Sequence, residues 1–260
     1  MYEDGPYGTS TSRGVVDRLN KYGMKIVFDE GYSHDAKDMS SLVTKIKAAK
    51  PDIIDHTGYY PDISLLLRQS RELGLKCRAW LGGSGGYSYL GAIGKDIGPK
   101  LVQYLCNVEV APPGLLPAES LQPGVAERAA ELIKRCKEKY GAAPTCHLGE
   151  GFTSNWVLLN EVLPNAITKY GFVPGAGNSK KQAEALRSAF MDLDIPMGGD
   201  VLGFGHKYAP LSDKYAGQNI YYGCHVSQWY GNAWHIIYPS ALRGKTKMFL
   251  PLPSNSVFGK

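Results

Sequence analysis

The sequence has no run approaching the ~20 consecutive apolar residues that a membrane-spanning helix needs, and no basic and then apolar leader precedes Tyr2. A chain that truly starts at Met1 is therefore expected to stay in the cytoplasm. There is no CxxC spacing either. The five cysteines, Cys77, Cys106, Cys136, Cys146 and Cys224, are odd in number and scattered, which argues against a disulfide framework and a structural zinc site and leaves most of them as core thiols. HExxH spacing and paired carboxylates are missing, so neither a metal nor a cofactor is expected. The net charge of +5 is spread along the chain without a block of Lys and Arg, which reads as a solvated surface and not as a nucleic-acid arm.

What the sequence does have is 43% hydrophobic residues in 260, enough to bury a substantial core, and a regular alternation of strand and helix patterns. Residues 14–22 are helical in composition, and Met24-Lys25-Ile26-Val27-Phe28 reads as a strand. In "KDMSSLVTKIKAAKPDIIDHTG", Met39, Leu42, Val43 and Ile46 recur at helical spacing before Pro51 stops the helix and Asp52-Ile53-Ile54 opens a strand. "PDISLLLRQSRELGLK" repeats the pattern from Pro61 to Gly74, and Arg78-Ala79-Trp80-Leu81 follows as a further strand. Strands separated by amphipathic helices predict a parallel sheet covered on both faces over residues 1–113. Residues 114–221 are mainly helical, with "GFTSNWVLLNEVLPNAITKYG" apolar on nearly every face. "GQNIYYGCHVSQWYGNAWHIIYP" then reads as a hairpin turning at Tyr230-Gly231-Asn232, within a final segment 222–260.

Three loops at strand ends carry chemistry-bearing residues. "EDGPYGTS" places Tyr7 beside helix-terminal amides that suit an anion. "HTGYYPD" offers Tyr59 and Tyr60 next to Gly58, which taken alone reads as loop surface. "LGGSGGYS" contains Gly83 and Ser84 and satisfies the G-x-S-x-G pattern of a hydrolase elbow. A serine hydrolase using Ser84 would also need a good helix behind the serine and an oxyanion loop upstream, and neither is present; among His147, His206, His225 and His235 no partner is distinguished. The G-x-G-x-x-G fingerprint fails as well, since counting from Gly83 meets Ser88. No enzyme is expected, and the shared position of the three loops points to small-molecule binding. The dipeptides Cys146-His147 and Cys224-His225 read as buried thiols beside exposed imidazoles.

"YEDGPYG", "KDMSSLVTKIKAAKPDII", "GYYPDISLLLRQSRELGLK" and "VSQWYGNAWHIIYP" together resemble the type I periplasmic solute-binding proteins of the leucine/isoleucine/valine-binding family, which serve branched-chain amino acid ABC transporters. The resemblance implies two α/β lobes with ligand between them. It implies that residues 1–113 are lobe II, 114–221 a helix-rich remnant of lobe I, and 222–260 the return that completes lobe II. It places Tyr7 and Tyr59 at ligand-contacting positions, with Gly83 and Ser84 standing where amino-acid binders carry an acidic residue. A neutral loop there leaves a ligand ammonium without a counter-charge, which favours a carboxylate lacking an amine, such as an aromatic acid. The family implies a periplasmic location and an ABC permease as partner if transport is retained. The front of lobe I has no counterpart in this sequence, so Trp156, Leu159, Leu163 and Ile167 are expected to be uncovered and to drive self-association. The resulting expectation is a weak, oligomeric solute binder; the alternative is an oligomeric structural or interaction protein that has lost transport.

Overall fold

The computed structural model describes residues 1–83, 85–177 and 179–260. They form two compact units: Met1–Glu109 with His225–Lys260, and Val110–Cys224. Among the described residues no helix is long and apolar enough to cross a membrane.

The first unit is an α/β layer structure. In chain order it contains β1 (Tyr2–Glu3), α1 (Pro6–Lys21), β2 (Gly31–Tyr32), α2 (Ser40–Ala49), β3 (Ile53–Thr57), α3 (Tyr60–Glu72), β4 (Ala79–Gly83), a 3-10 turn (Gly85–Tyr89), α4 (Leu90–Ile97) and β5 (Cys106–Glu109). Its sheet has the strand order β2-β1-β3-β4-β5 in parallel pairs, continued by β6 (His225–Tyr230) and β7 (Ala233–Tyr238) in antiparallel pairs. The periodic residues of α2 face the core: Met39, Leu42, Val43 and Ile46 are buried, together with Ile63, Leu66 and Leu67 of α3. Lys50 takes a left-handed conformation that ends α2 before Pro51, and α3 enters with Pro61 in its first turn. Helix α1 starts at Pro6, well before the helical composition of residues 14–22 suggests, because Pro6 is preset for the first helical position.

Residues 24–28 do not form the expected strand. The parallel register sets Tyr2 opposite Gly31 and Glu3 opposite Tyr32, so β1 and β2 share two rungs. Among the described residues, 24–28 have no ladder partner, and a β-branched run without a hydrogen-bonding neighbour remains coil. On its other side β1 meets β3 at one position, Tyr2 with Thr57.

The hairpin turns on two residues, Gly231 and Asn232, both at φ +60, with Tyr230 already paired to Ala233 in the ladder. Trp229 and Trp234 face each other across it at 5.2 Å. The tail after β7 belongs to the same core: Phe258 is fully buried with its ring 4.8 Å from that of Trp80, and the Cys77 amide bonds the Phe258 carbonyl.

The second unit contains α5 (Val125–Tyr140), α6 (Cys146–Val157), a π turn (Leu158–Val162), α7 (Leu163–Tyr170) and α8 (Lys180–Met191), with no ladder strand among its described residues. The continuous apolar helix read from the sequence is broken at the π turn. Pro164 lacks the amide that would close an α-helical bond to residue 160, and the register widens just ahead of it. Val157, Val162 and Ala166 pack against Ala189 and Leu193. Leu159 and Ile167 are 60% and 45% exposed, whereas Trp156 is half-buried under the Arg128 guanidinium, 3.7 Å from its ring, and Leu163 is half-buried. A second cluster joins Val125, Ala129, Cys146, Val201, Leu202 and Phe204. Buried Asp200 organises its loop: Oδ1 accepts from the Leu202 and Phe204 amides at 2.9 Å each, and Oδ2 lies 3.1 Å from His206 Nε2.

Four of the five cysteines are buried, and burial pushes the Cys77 and Cys106 thiols up to about 12, which makes them inert at neutral pH. The second Cys-His pair reverses the expectation. Cys224 is exposed and His225 is buried, because His225 opens β6 opposite Glu109 in the sheet interior, followed by the buried Ser227 and Gln228. Gln228 earns its place by donating to the Tyr104 and Phe249 carbonyls while accepting from the Phe249 amide. The first pair keeps a buried Cys146 beside a half-buried His147, whose Nδ1 is 2.9 Å from Glu150 Oε2.

Candidate ligand site at the carboxyl edge of the sheet

Strands β1, β3 and β4 all end at one edge of the parallel sheet, and in open α/β sheets that edge is where small ligands are held. The starts of α1 and α3, which follow β1 and β3 there, place Tyr7 and Tyr59 side by side. Their ring centroids are 6.4 Å apart at 40°, and the residues are 47% and 49% exposed, so each presents an aromatic surface to solvent. Gly83, half-buried, ends β4 in register with Thr57 of β3. Ser84, the fourth residue singled out in the sequence, lies outside the described residues.

Both helix entrances at this edge are occupied by the protein's own carboxylates. Glu3, buried at the end of β1, accepts from the Gly5 amide through Oε2 and from the Gly8 amide through Oε1, both at 2.6 Å. Helix α1 therefore carries its anion internally, and the expectation that its amides await a ligand carboxylate is corrected for these two groups. Close packing explains the residue types: a Cβ on Gly8 would fall 2.1 Å from the Glu3 carbonyl oxygen. At α3, Asp62 in the third helical position accepts from the Tyr59 amide at 3.0 Å and 3.1 Å. This is a helix cap built backwards from inside the helix, and it fixes the backbone that carries the Tyr59 ring.

Beneath these loops lies a buried polar chain. Tyr32 Oη donates to Asp62 Oδ2 at 2.7 Å and lies 2.7 Å from His56 Nε2; His56 Nδ1 lies 2.7 Å from Tyr87 Oη, which accepts from Trp80 Nε1 at 2.8 Å. Burial holds His56 well below its ordinary 6.5, with the Met1 ammonium adding to the effect, and raises the Tyr32 and Tyr87 hydroxyls, Asp62 adding to the rise at Tyr32. The folded state thus refuses a proton that the unfolded chain binds. Stability through His56 is complete above about pH 6.5 and is lost as the pH falls below it, by up to about 1.4 kcal/mol per pH unit. Urea unfolding between pH 7 and 5 should show a shallower loss in His56→Gln than in wild type, and equal slopes would contradict the assignment.

Among the described residues, Glu3, Asp4 and His34 form the one group whose ligand atoms could surround a metal ion, brought together only by the β1–β2 pairing. Glu3 is the buried member, and both of its oxygens already accept amide hydrogen bonds. Sequence reasoning passed over His56, Asp62, Tyr32 and Tyr87. His56 and Asp62 stand inside the quoted "HTGYYPD", where a histidine and an aspartate so close to a Gly-Tyr-Tyr turn were the available signal.

Comparison with known proteins gives a consistent result. The family profile described as periplasmic binding protein matches residues 1–206. Leu/Ile/Val-binding protein homolog 8 of Brucella abortus (strain 2308) is 32% identical over 216 residues, covering 80% of this chain and 47% of that protein. The chain thus spans about half the length of the relatives it matches. Among solved structures, a leucine-binding protein from Thermotoga maritima MSB8 aligns with 90% of this chain and 58% of its own at a TM-score of 0.60 and 20% identity. An ABC transporter solute-binding protein from R. palustris, solved in complex with benzoate, covers 91% of this chain and 56% of its own at a TM-score of 0.64 and 12% identity. At these identities the structural matches establish a shared fold.

Proposed function

The chain belongs to the periplasmic binding protein family, and from that premise we propose that its sheet unit is a ligand-binding lobe that takes a small amino acid or aromatic carboxylate on Tyr7 and Tyr59. The observation that carries this reading is the pair of half-exposed tyrosine rings, 6.4 Å apart, at the carboxyl edge of the parallel sheet. Because Glu3 and Asp62 already satisfy the Gly5, Gly8 and Tyr59 amides, the tyrosines serve the flat or apolar body of the ligand, and its carboxylate is held by other groups. Gly83 lines the same edge, and Ser84 follows it in sequence. The leucine-binding and benzoate-bound neighbours support the two ligand classes. A single lobe encloses only part of a ligand, so binding is weak.

In this reading Met1–Glu109 with His225–Lys260 corresponds to lobe II of a solute-binding protein, and Val110–Cys224 to part of lobe I. The family name supports a periplasmic site of action, and an ABC permease is the partner where transport is retained. The exposure of Leu159 and Ile167, flanking the half-buried Trp156 and Leu163, supports self-association through that helical surface. Sedimentation at micromolar concentration should show an oligomer that Leu159→Asp with Ile167→Asp converts to a smaller species; a wild-type monomer would contradict this part. Ligand binding is tested by thermal shift with L-leucine, L-phenylalanine and benzoate. One of them should stabilise the wild type saturably, by about 2.7 kcal/mol when present at 100 times its Kd, and Tyr59→Ala should cut the response at that concentration to about 1.4 kcal/mol or less. No response to any of the three while the oligomer persists would favour a structural or interaction protein.

A further inference from the structure

The buried chain beneath the tyrosine loops has a direction fixed at both ends. Trp80 Nε1 can only donate, so Tyr87 Oη accepts from it at 2.8 Å and turns its own hydrogen toward His56 Nδ1, 2.7 Å away. At the other end the Asp62 carboxylate can only accept, so Tyr32 donates to it at 2.7 Å and must itself accept from His56 Nε2, also at 2.7 Å. One imidazole form satisfies both ends: neutral, with its proton on Nε2. Five residues from β2, β3, β4, α3 and the 3-10 turn after β4 are thereby locked into a single pattern of protons, in a site where an unpaired polar group is costly.

The loop that carries Tyr59 rests directly on this chain. A Cβ on Gly58 would lie 2.5 Å from Tyr32 Oη, 2.8 Å from Asp62 Oδ2 and 2.8 Å from His56 Cε1, so the Gly58 backbone is seated on all three groups. Asp62 also holds the Tyr59 amide. From the other side, a Cβ on Gly86 would fall 2.4 Å from the Gly58 carbonyl oxygen and 3.0 Å from Tyr59 Cα, so the 3-10 turn that supplies Tyr87 closes over the same backbone.

We propose that Tyr32, His56 and Asp62 are positioning residues for ligand recognition, a directed hydrogen-bond chain that holds the Gly58–Tyr59 turn so that the Tyr59 ring stands beside Tyr7 in its ligand-ready place. This rests on the reading of Tyr7 and Tyr59 as the ligand platform. Its consequence is that affinity depends on groups which never touch the ligand, because a rigid turn spares the ordering cost that a mobile one would incur on binding.

Two variants test it without removing bulk from the core. Tyr32→Phe deletes the donor to Asp62 and the acceptor for His56. The Tyr59 amide should then exchange with solvent at least tenfold faster while amides of β4 and α4 keep wild-type protection, and affinity for whichever of L-leucine, L-phenylalanine or benzoate binds the wild type should fall about tenfold. Asp62→Asn keeps one acceptor, and it can offer that oxygen to Tyr32 only by turning its own NH2 toward the Tyr59 amide, so the hold on the turn should weaken and the Tyr59 amide should again exchange faster. In the wild type the imidazole nitrogen shifts in NMR should report the neutral, Nε2-protonated form. Wild-type affinity in Tyr32→Phe, with a responsive wild type, overturns the positioning role and leaves the ligand platform standing. If no probe binds the wild type, the platform reading fails, and the exchange of the Tyr59 amide still decides the turn: unchanged protection in Tyr32→Phe, or a wild-type His56 protonated on Nδ1, overturns the chain.

Discussion

Glu3→Ala should lower the unfolding free energy of the sheet unit by about 3–6 kcal/mol, the combined loss of two hydrogen bonds to a charged acceptor at about 1.5–3 kcal/mol each. Both bonds are 2.6 Å long, the carboxylate is 2% exposed, and the amides it serves open α1. With Glu3 removed, the buried Gly8 amide and the half-buried Gly5 amide lose their acceptor. Glu3→Gln keeps one acceptor and turns an N–H toward the second amide, so it should cost roughly half as much or more. Urea denaturation followed by far-UV circular dichroism measures both. A loss below about 1 kcal/mol for Glu3→Ala would mean that water replaces the carboxylate and that α1 is not held by its own anion.

Gly82→Ala is expected to do comparable damage by a different route. A methyl at residue 82 would lie 2.0 Å from Cγ of the Tyr87 ring and 2.3 Å from both Cδ atoms, with nowhere for the ring to go. Tyr87 is fully buried and is tied by its hydroxyl to His56 and Trp80, so it can yield only by breaking those bonds. Overpacking of a core costs about 1–3 kcal/mol where neighbours adjust, and a ring that must also give up two buried hydrogen bonds should take the loss to about 4 kcal/mol or more. The single variant Tyr87→Phe separates the terms: it gives up the same two hydrogen bonds without the clash, so its stability should lie between those of wild type and Gly82→Ala. A melting temperature for Gly82→Ala within a degree or two of wild type would show that the turn after β4 shifts freely.

The residues that could be read from sequence alone were those whose chemistry is local and periodic. Met39, Leu42, Val43 and Ile46 mark the buried face of α2 through spacing alone, and Gly231-Asn232 marks a hairpin turn because both residues tolerate positive φ. Tyr7 and Tyr59 were singled out through the strand-end segments that carry them and through resemblance, and the sheet brings those segments to one edge. Residues 24–28 had the composition of a strand but lacked a neighbour, which composition cannot reveal. Glu3 was hidden because a glutamate at a strand end reads as solvated until the chain is seen to fold two amides onto it. Tyr32, His56, Asp62, Tyr87 and Trp80 lie up to fifty-odd residues apart, and only the parallel pairing of β2, β1, β3 and β4, with the helix and turn that follow β3 and β4, brings them into one chain. Cys224 and His225 exchanged their expected environments because the antiparallel pairing of β6 with β5, more than the character of either side chain, decides which one enters the interior.

The central claim is that Tyr7 and Tyr59 form the ligand platform, and its most direct test is an NMR titration of the isotopically labelled chain with L-leucine, L-phenylalanine and benzoate in turn. For the compound that binds, saturable shift changes should concentrate on the backbone of residues 5–9, 57–60 and 82–86, and Tyr7→Ala and Tyr59→Ala should each weaken them by about tenfold or more, the loss of a packed aromatic contact worth at least about 1.4 kcal/mol. Saturable changes centred elsewhere, or binding that survives both substitutions unchanged, would contradict it.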